Sequence, residues 1–131
     1  MKVGRILSSN GAYLEAFVEV DGRVLCVMDE FSATRDVPDR RVDFEIEFTV
    51  TLSDQECWEE VFDANLERKT GVEWIDGWEY MAFGEVVSIS PVRVNCGLFE
   101  VEDVVHTTDS RVVGEFVGFR IARLGVITHE I

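Results

Sequence analysis

The chain has 131 residues, 47% of them hydrophobic, with two prolines and a formal net charge of −14. That length supports a single domain, residues 1–131, with a buried core and no need of disulfide staples, and the composition is that of a folded protein rather than a low-complexity one. The acidity argues against nucleic acid as a partner, and no run approaches the ~20 apolar residues of a membrane-spanning helix. The opening MKVGRILSSNGAYLEAF carries positive charge but no apolar stretch long enough for an export signal, so the expected setting is cytoplasmic.

Residues 13–29, YLEAFVEVDGRVLCVMD, read as a hairpin. Asp21-Gly22 supplies the two positive-φ positions of a type I′ turn between β-rich runs. Pairing across it puts Leu14, Ala16, Val18, Leu25 and Val27 on one face, and Phe17, Val24, Cys26 and Met28 on the other. With both faces largely apolar, the expectation is a hairpin covered on each side.

A loop over 31–41 follows, holding Pro38 and the basic cluster Arg35, Arg40 and Arg41, with Asp36 and Asp39 among them. Residues 42–52 then alternate: Val42, Phe44, Ile46, Phe48, Val50 and Leu52 point one way, and Asp43, Glu45, Glu47, Thr49 and Thr51 the other. The pattern predicts one buried and one acidic, solvated face.

The one predicted α-helix covers about 54–69. Ser53 and Glu56 have capping-box spacing, Trp58, Val61, Phe62 and Leu66 form the apolar stripe, and Gly71 is placed to end it. Glu59, Glu60 and Asp63 lie off that stripe. A second Asp-Gly turn at Asp76-Gly77 predicts a second hairpin, with Trp74 and Trp78 on opposite faces. Further strands are expected near 85–94, 98–106 and 112–124, giving a mainly β, antiparallel barrel or strongly curled sheet with one helix.

Residues 84–94, GEVVSISPVRV, and 114–124, GEFVGFRIARL, both open on a glycine and run into valines. That rhythm resembles small barrels of the OB type. The resemblance implies an antiparallel OB-like barrel, and a nucleic-acid-binding face near Arg93, Phe119 and Arg120. The charge opposes that function, because cations that displace counterions supply most of the affinity for nucleic acid. Only four basic residues, Arg93, Arg111, Arg120 and Arg123, lie beyond Gly84, and they alternate with acids.

The charge is also uneven. Residues 43–85 carry 13 acidic side chains against two basic ones, net −11, while 1–42 and 86–131 carry −1 and −2. Such a concentration raises a potential that speeds encounter with cationic partners. The leading expectation is therefore a non-catalytic acidic binding module, inhibitor- or immunity-like, meeting a basic protein on a surface that otherwise takes nucleic acid. Its candidate residues are Glu45, Glu47, Glu59, Glu60 and Asp63, with Trp74 and Trp78 as apolar anchors. The dull alternative is a solvated face that only keeps the chain soluble.

Other chemistry is weakly signalled. Cys26, Cys57 and Cys96 have no metal or CxxC spacing with one another or with the two histidines, and all three are expected as reduced core residues. No GxSxG, HExxH, GxGxxG or P-loop is present, so no enzyme, cofactor or metal is expected. His106 and Asp109 bracket HTTD, which reads as a turn rather than a metal site. A small-ligand site in the barrel mouth and a homodimer through a barrel edge stay open.

Overall fold

The computed structural model describes residues 2–32, 42–53 and 57–131; the Arg35, Arg40 and Arg41 cluster and Glu56 lie outside the described residues. Among the described residues the protein is mainly β, with a closed five-stranded, OB-like barrel and one short α-helix. The chain divides into two compact units. The first holds the described residues of 1–51 with Trp74–Glu79 and Arg123–Ile131, and the second holds Leu52–Glu73 and Tyr80–Ala122.

The barrel belongs to the first unit. Its strands are β1 (Lys2–Ser9), β2 (Glu15–Val20), β3 (Arg23–Asp29), β4 (Phe44–Leu52) and the end of β9 (Phe116–His129). Three consecutive strands pair in turn, and the fourth returns beside the first, giving the order β3-β2-β1-β4-β9. Closure is by a parallel contact, Met28 opposite Gly125 and Asp29 opposite Val126.

The β2–β3 hairpin has the expected turn, with Asp21 at φ 53°, Gly22 at φ 76° and Val20 opposite Arg23. Its inner face is Ala16, Val18, Val20, Leu25 and Val27, all at most 1% exposed, and Ile6, Ile46, Leu124 and Val126 fill the rest of the interior. A barrel this small is packed by its own side chains. The outer face of the hairpin is covered only in part. Cys26 and Met28 are buried, but Phe17 and Val24 are exposed, as is Leu14 beyond the strand end. On β4 the alternation also carries less burial than its pattern predicts: Ile46 is buried, Phe44, Phe48, Val50 and Leu52 are half-buried, and Val42 is exposed.

The second unit is built on β6 (Glu79–Ile89), which pairs antiparallel with β9 from Tyr80 opposite Ile121 to Glu85 opposite Phe116. On its other side come β7 (Val92–Asn95) and then β8 (Glu100–Glu102). The single strand expected at 85–94 is thus two strands of a tight hairpin. Ile89 pairs with Val92 across Ser90-Pro91, whose peptide bond is cis. The strand expected at 98–106 shrinks to three residues, while the last strand extends to His129.

The helix is also shorter than its pattern predicts. α1 spans Trp58–Asp63, buries Val61 and is followed by turns. Ser53 does not cap it: both its backbone N–H and its hydroxyl donate to the Arg120 carbonyl. What stops the helix is Asn65, whose side chain bonds backbone groups that a continuing helix would need for itself. Its Oδ1 accepts from Lys69 N at 2.7 Å, and its Nδ2 donates to Lys69 O and Val117 O, each at 3.0 Å. Arg68 then takes φ 56° and turns the chain away. Leu66, expected on the buried stripe, is left 77% exposed.

A candidate partner-binding surface

The expected site residues divide between the two units. In the first, Glu45 and Glu47 lie on β4, Glu45 opposite Val3 of β1 and half-buried, Glu47 exposed. The Oε2 of Glu47 is 3.8 Å from Nε2 of His129. Nearby carboxylates on the same unit are neutralised by their own cations. Arg5 donates to Asp43 at 2.7 Å, which raises the Arg5 pKa further, and Lys2 sits 3.1 Å from Asp21.

Trp74 and Trp78 lie at the tip of the hairpin formed by β5 (Gly71–Asp76) and β6. The turn is displaced by one residue from the expected Asp76-Gly77. Gly77, at φ 54°, occupies the first of two loop positions and Trp78 the second, the placement a glycine-first hairpin turn requires. Neither tryptophan is core. Trp78 is half-buried and its carbonyl accepts from Leu124 N at 3.0 Å, whereas Trp74 is 59% exposed.

In the second unit, Glu59, Glu60 and Asp63 are all exposed along α1. Glu59 and Glu60 stand in the first turn, where the helix dipole favours negative charge, and no basic residue occupies the last turn. The apolar side of the helix is fixed by Val61, by the Trp58–Phe62 ring pair at 5.3 Å, and by a hydrogen bond from Trp58 Nε1 to His106 O at 3.0 Å. That anchoring leaves the carboxylates on the outward side.

The cysteines separate by environment. Burial pushes the Cys96 thiol up to about 12; burial, followed by the charge and hydrogen bonding of Glu15, pushes Cys26 up to about 11. Cys57, expected in the core, is exposed instead, and its Sγ donates to Glu59 Oε2 at 3.5 Å. The HTTD segment forms no turn; Asp109 instead caps the short 3-10 helix Ser110–Val112 and accepts from the Arg111 guanidinium and N–H, which lowers its pKa to about 2. Among the described residues, no group of three or more His, Cys, Asp or Glu side chains is arranged to hold a metal ion, and no helix is long and apolar enough to cross a membrane.

The nucleic-acid face implied by the OB resemblance does not form where it was expected. Phe119 is 1% exposed and cannot stack on a base, and Arg93 is paired with Glu102 at 3.2 Å. Residues 84–94 build β6 and β7 of the second unit rather than the barrel.

Two residues escaped the sequence reading. Asn65 is one. The other is Asp29, fully buried, whose carboxylate accepts from Phe31 N and Ser32 N at 2.8 Å, from Ser32 Oγ at 2.6 Å and from Ser9 Oγ. Its backbone also holds the β1–β2 loop, through Tyr13 N to Asp29 O at 2.6 Å and Asp29 N to Leu14 O at 2.9 Å. An aspartate placed three residues before a serine at a strand end is a turn signal, and it was available in the sequence.

No protein-family model, curated protein or solved structure matches this chain.

Proposed function

We propose that this protein is a non-catalytic binding module that docks on a basic protein partner through its carboxylate-rich surface, in the manner of an inhibitor or immunity protein. One observation carries the reading. Glu59, Glu60 and Asp63 are exposed on one anchored helix, and among the described residues none of them is ion-paired. By contrast Asp43, Asp21, Glu102 and Asp109 each take a cation of the same chain. Carboxylates left without such partners keep their full field for steering and register.

The test is capture of partners from source-cell lysate on the immobilised protein, eluted with salt. The expected result is a basic protein released by salt, and lost when Glu59→Gln, Glu60→Gln and Asp63→Asn are combined. Undiminished capture by that variant overturns the reading.

A second reading has its own observation. In OB-like barrels the second and third strands and the loop between the first two form the ligand face. Here those elements expose Phe17, Val24, Tyr13 and Leu14. Glu15 and Glu19 on the same strand weaken any attraction for phosphates. Fluorescence titration with single-stranded oligonucleotides at low salt decides it, and absence of binding removes it.

A further inference from the structure

We infer that the tip of the β5–β6 hairpin, Trp74–Glu79, is a docking surface for an arginine side chain of the basic partner, with the indole of Trp74 as platform and Asp76 as anionic flank. This rests on the reading above and names the group that would be taken and the residue that would take it.

The placement follows from strand geometry. β5 ends at Asp76 and β6 begins at Glu79, so the loop is only Gly77 and Trp78. Trp74 and Asp76 are two apart on one strand and share a face. The indole has a single polar atom, and its Nε1–H donates to the Gly77 carbonyl at 2.9 Å. With that donor satisfied within the turn, the 59% exposed side chain offers its ring face to solvent. Its orientation is set before any partner arrives, because the ring is tied to Gly77 and the Trp78 carbonyl is bonded to Leu124 N. Little side-chain freedom is left to lose on binding.

The charge around the ring selects the occupant. Residues 74–79 contain Asp76 and Glu79 and no base. An aromatic face beside a carboxylate suits a planar, weakly hydrated cation, which describes guanidinium better than ammonium. The protein covers other rings with its own cations: Arg68 lies 4.7 Å from the centroid of Phe116, and Lys69 4.4 Å from that of Phe83. Among the described residues, no cation of the chain lies over Trp74 in this way.

The experiment titrates the full chain, at low salt, with a capped peptide of alternating glycine and arginine, and separately with its lysine counterpart. NMR follows the aromatic rings and indole N–H groups. The expected result is a shift of the Trp74 ring resonances on adding the arginine peptide, with weaker binding of the lysine peptide. Trp74→Ala lowers affinity about three- to fivefold, the range of an exposed cation–π contact, and Trp74→Phe recovers part of it. Unchanged affinity in Trp74→Ala, with a dispersed native spectrum, overturns the inference. The acidic-surface reading still stands in that case if the combined Glu59, Glu60 and Asp63 variant loses the peptide. Absence of binding to the unsubstituted protein also overturns the inference, and the acidic-surface reading is then decided separately by the capture experiment above.

Discussion

The side-chain amide of Asn65 donates to the backbone carbonyl of Val117, 52 residues away in sequence, at 3.0 Å. The same side chain accepts from Lys69 N and donates to Lys69 O, so one buried residue both ends α1 and ties the following turn to β9. A helix continuing to residue 69, as its periodicity predicts, would have turned Leu66 inward; the Asn65 bonds stop it short and leave Leu66 in solvent.

Replacing Asn65 by leucine keeps the branched outline, with somewhat more bulk, and removes all three bonds. Val117 O and the Lys69 backbone groups then lose their partner, and the expected cost is about 2–3 kcal/mol. Urea unfolding should show a lower midpoint at unchanged slope. A midpoint equal to that of the parent protein would show that water replaces the amide without loss.

Thr128 presents the opposite case. It continues the inward series Leu124, Val126 on β9, is 2% exposed, and its hydroxyl has no hydrogen-bond partner among the described residues. Thr128→Val keeps the shape and removes the stranded polar group, so it should stabilise the protein by about 1 kcal/mol. Thermal and urea unfolding check the sign. A clear loss of stability would mean that the hydroxyl is bonded in solution.

The cysteines predict both reactivity and alkaline behaviour. Cys57 is exposed while Cys26 and Cys96 are buried, so a thiol reagent at mildly alkaline pH should modify one thiol quickly and the other two only on unfolding. The folded state raises Cys96 from its ordinary 9.0 to about 12 and Cys26 to about 11. Below about pH 9 both states hold these protons, and the thiols make stability no steeper in pH. Above it the unfolded chain loses protons that the folded chain keeps, so stability falls as pH rises toward 11. Serine at position 57 should leave that fall in place, whereas alanine at position 96 should reduce it, measured as unfolding midpoint against pH.

Local pattern was enough to read the β2–β3 hairpin, because its turn and its inner face depend on neighbours in sequence. Asp21-Gly22 demands positive φ at both positions, and Ala16, Val18, Leu25 and Val27 alternate at strand period. The barrel class and the single helix were legible for the same reason, and so was the concentration of carboxylates between residues 43 and 85. What tertiary structure decided was which side chains are covered, and by what. Phe119 looks no different in sequence from Phe17, yet β9 is paired through β6 and buries one, while the outer barrel face exposes the other. Trp74 and Trp78 differ because a turn shifted by one residue gives the first a bond to Gly77 and the second a bond from Leu124. Burial of that kind is set by residues far along the chain, through contacts that periodicity cannot express. The sequence by itself determined that this is an acidic, mainly β protein; only long-range contacts, the Trp58–His106 and Leu124–Trp78 bonds among them, decided which acids and which tryptophan face solvent.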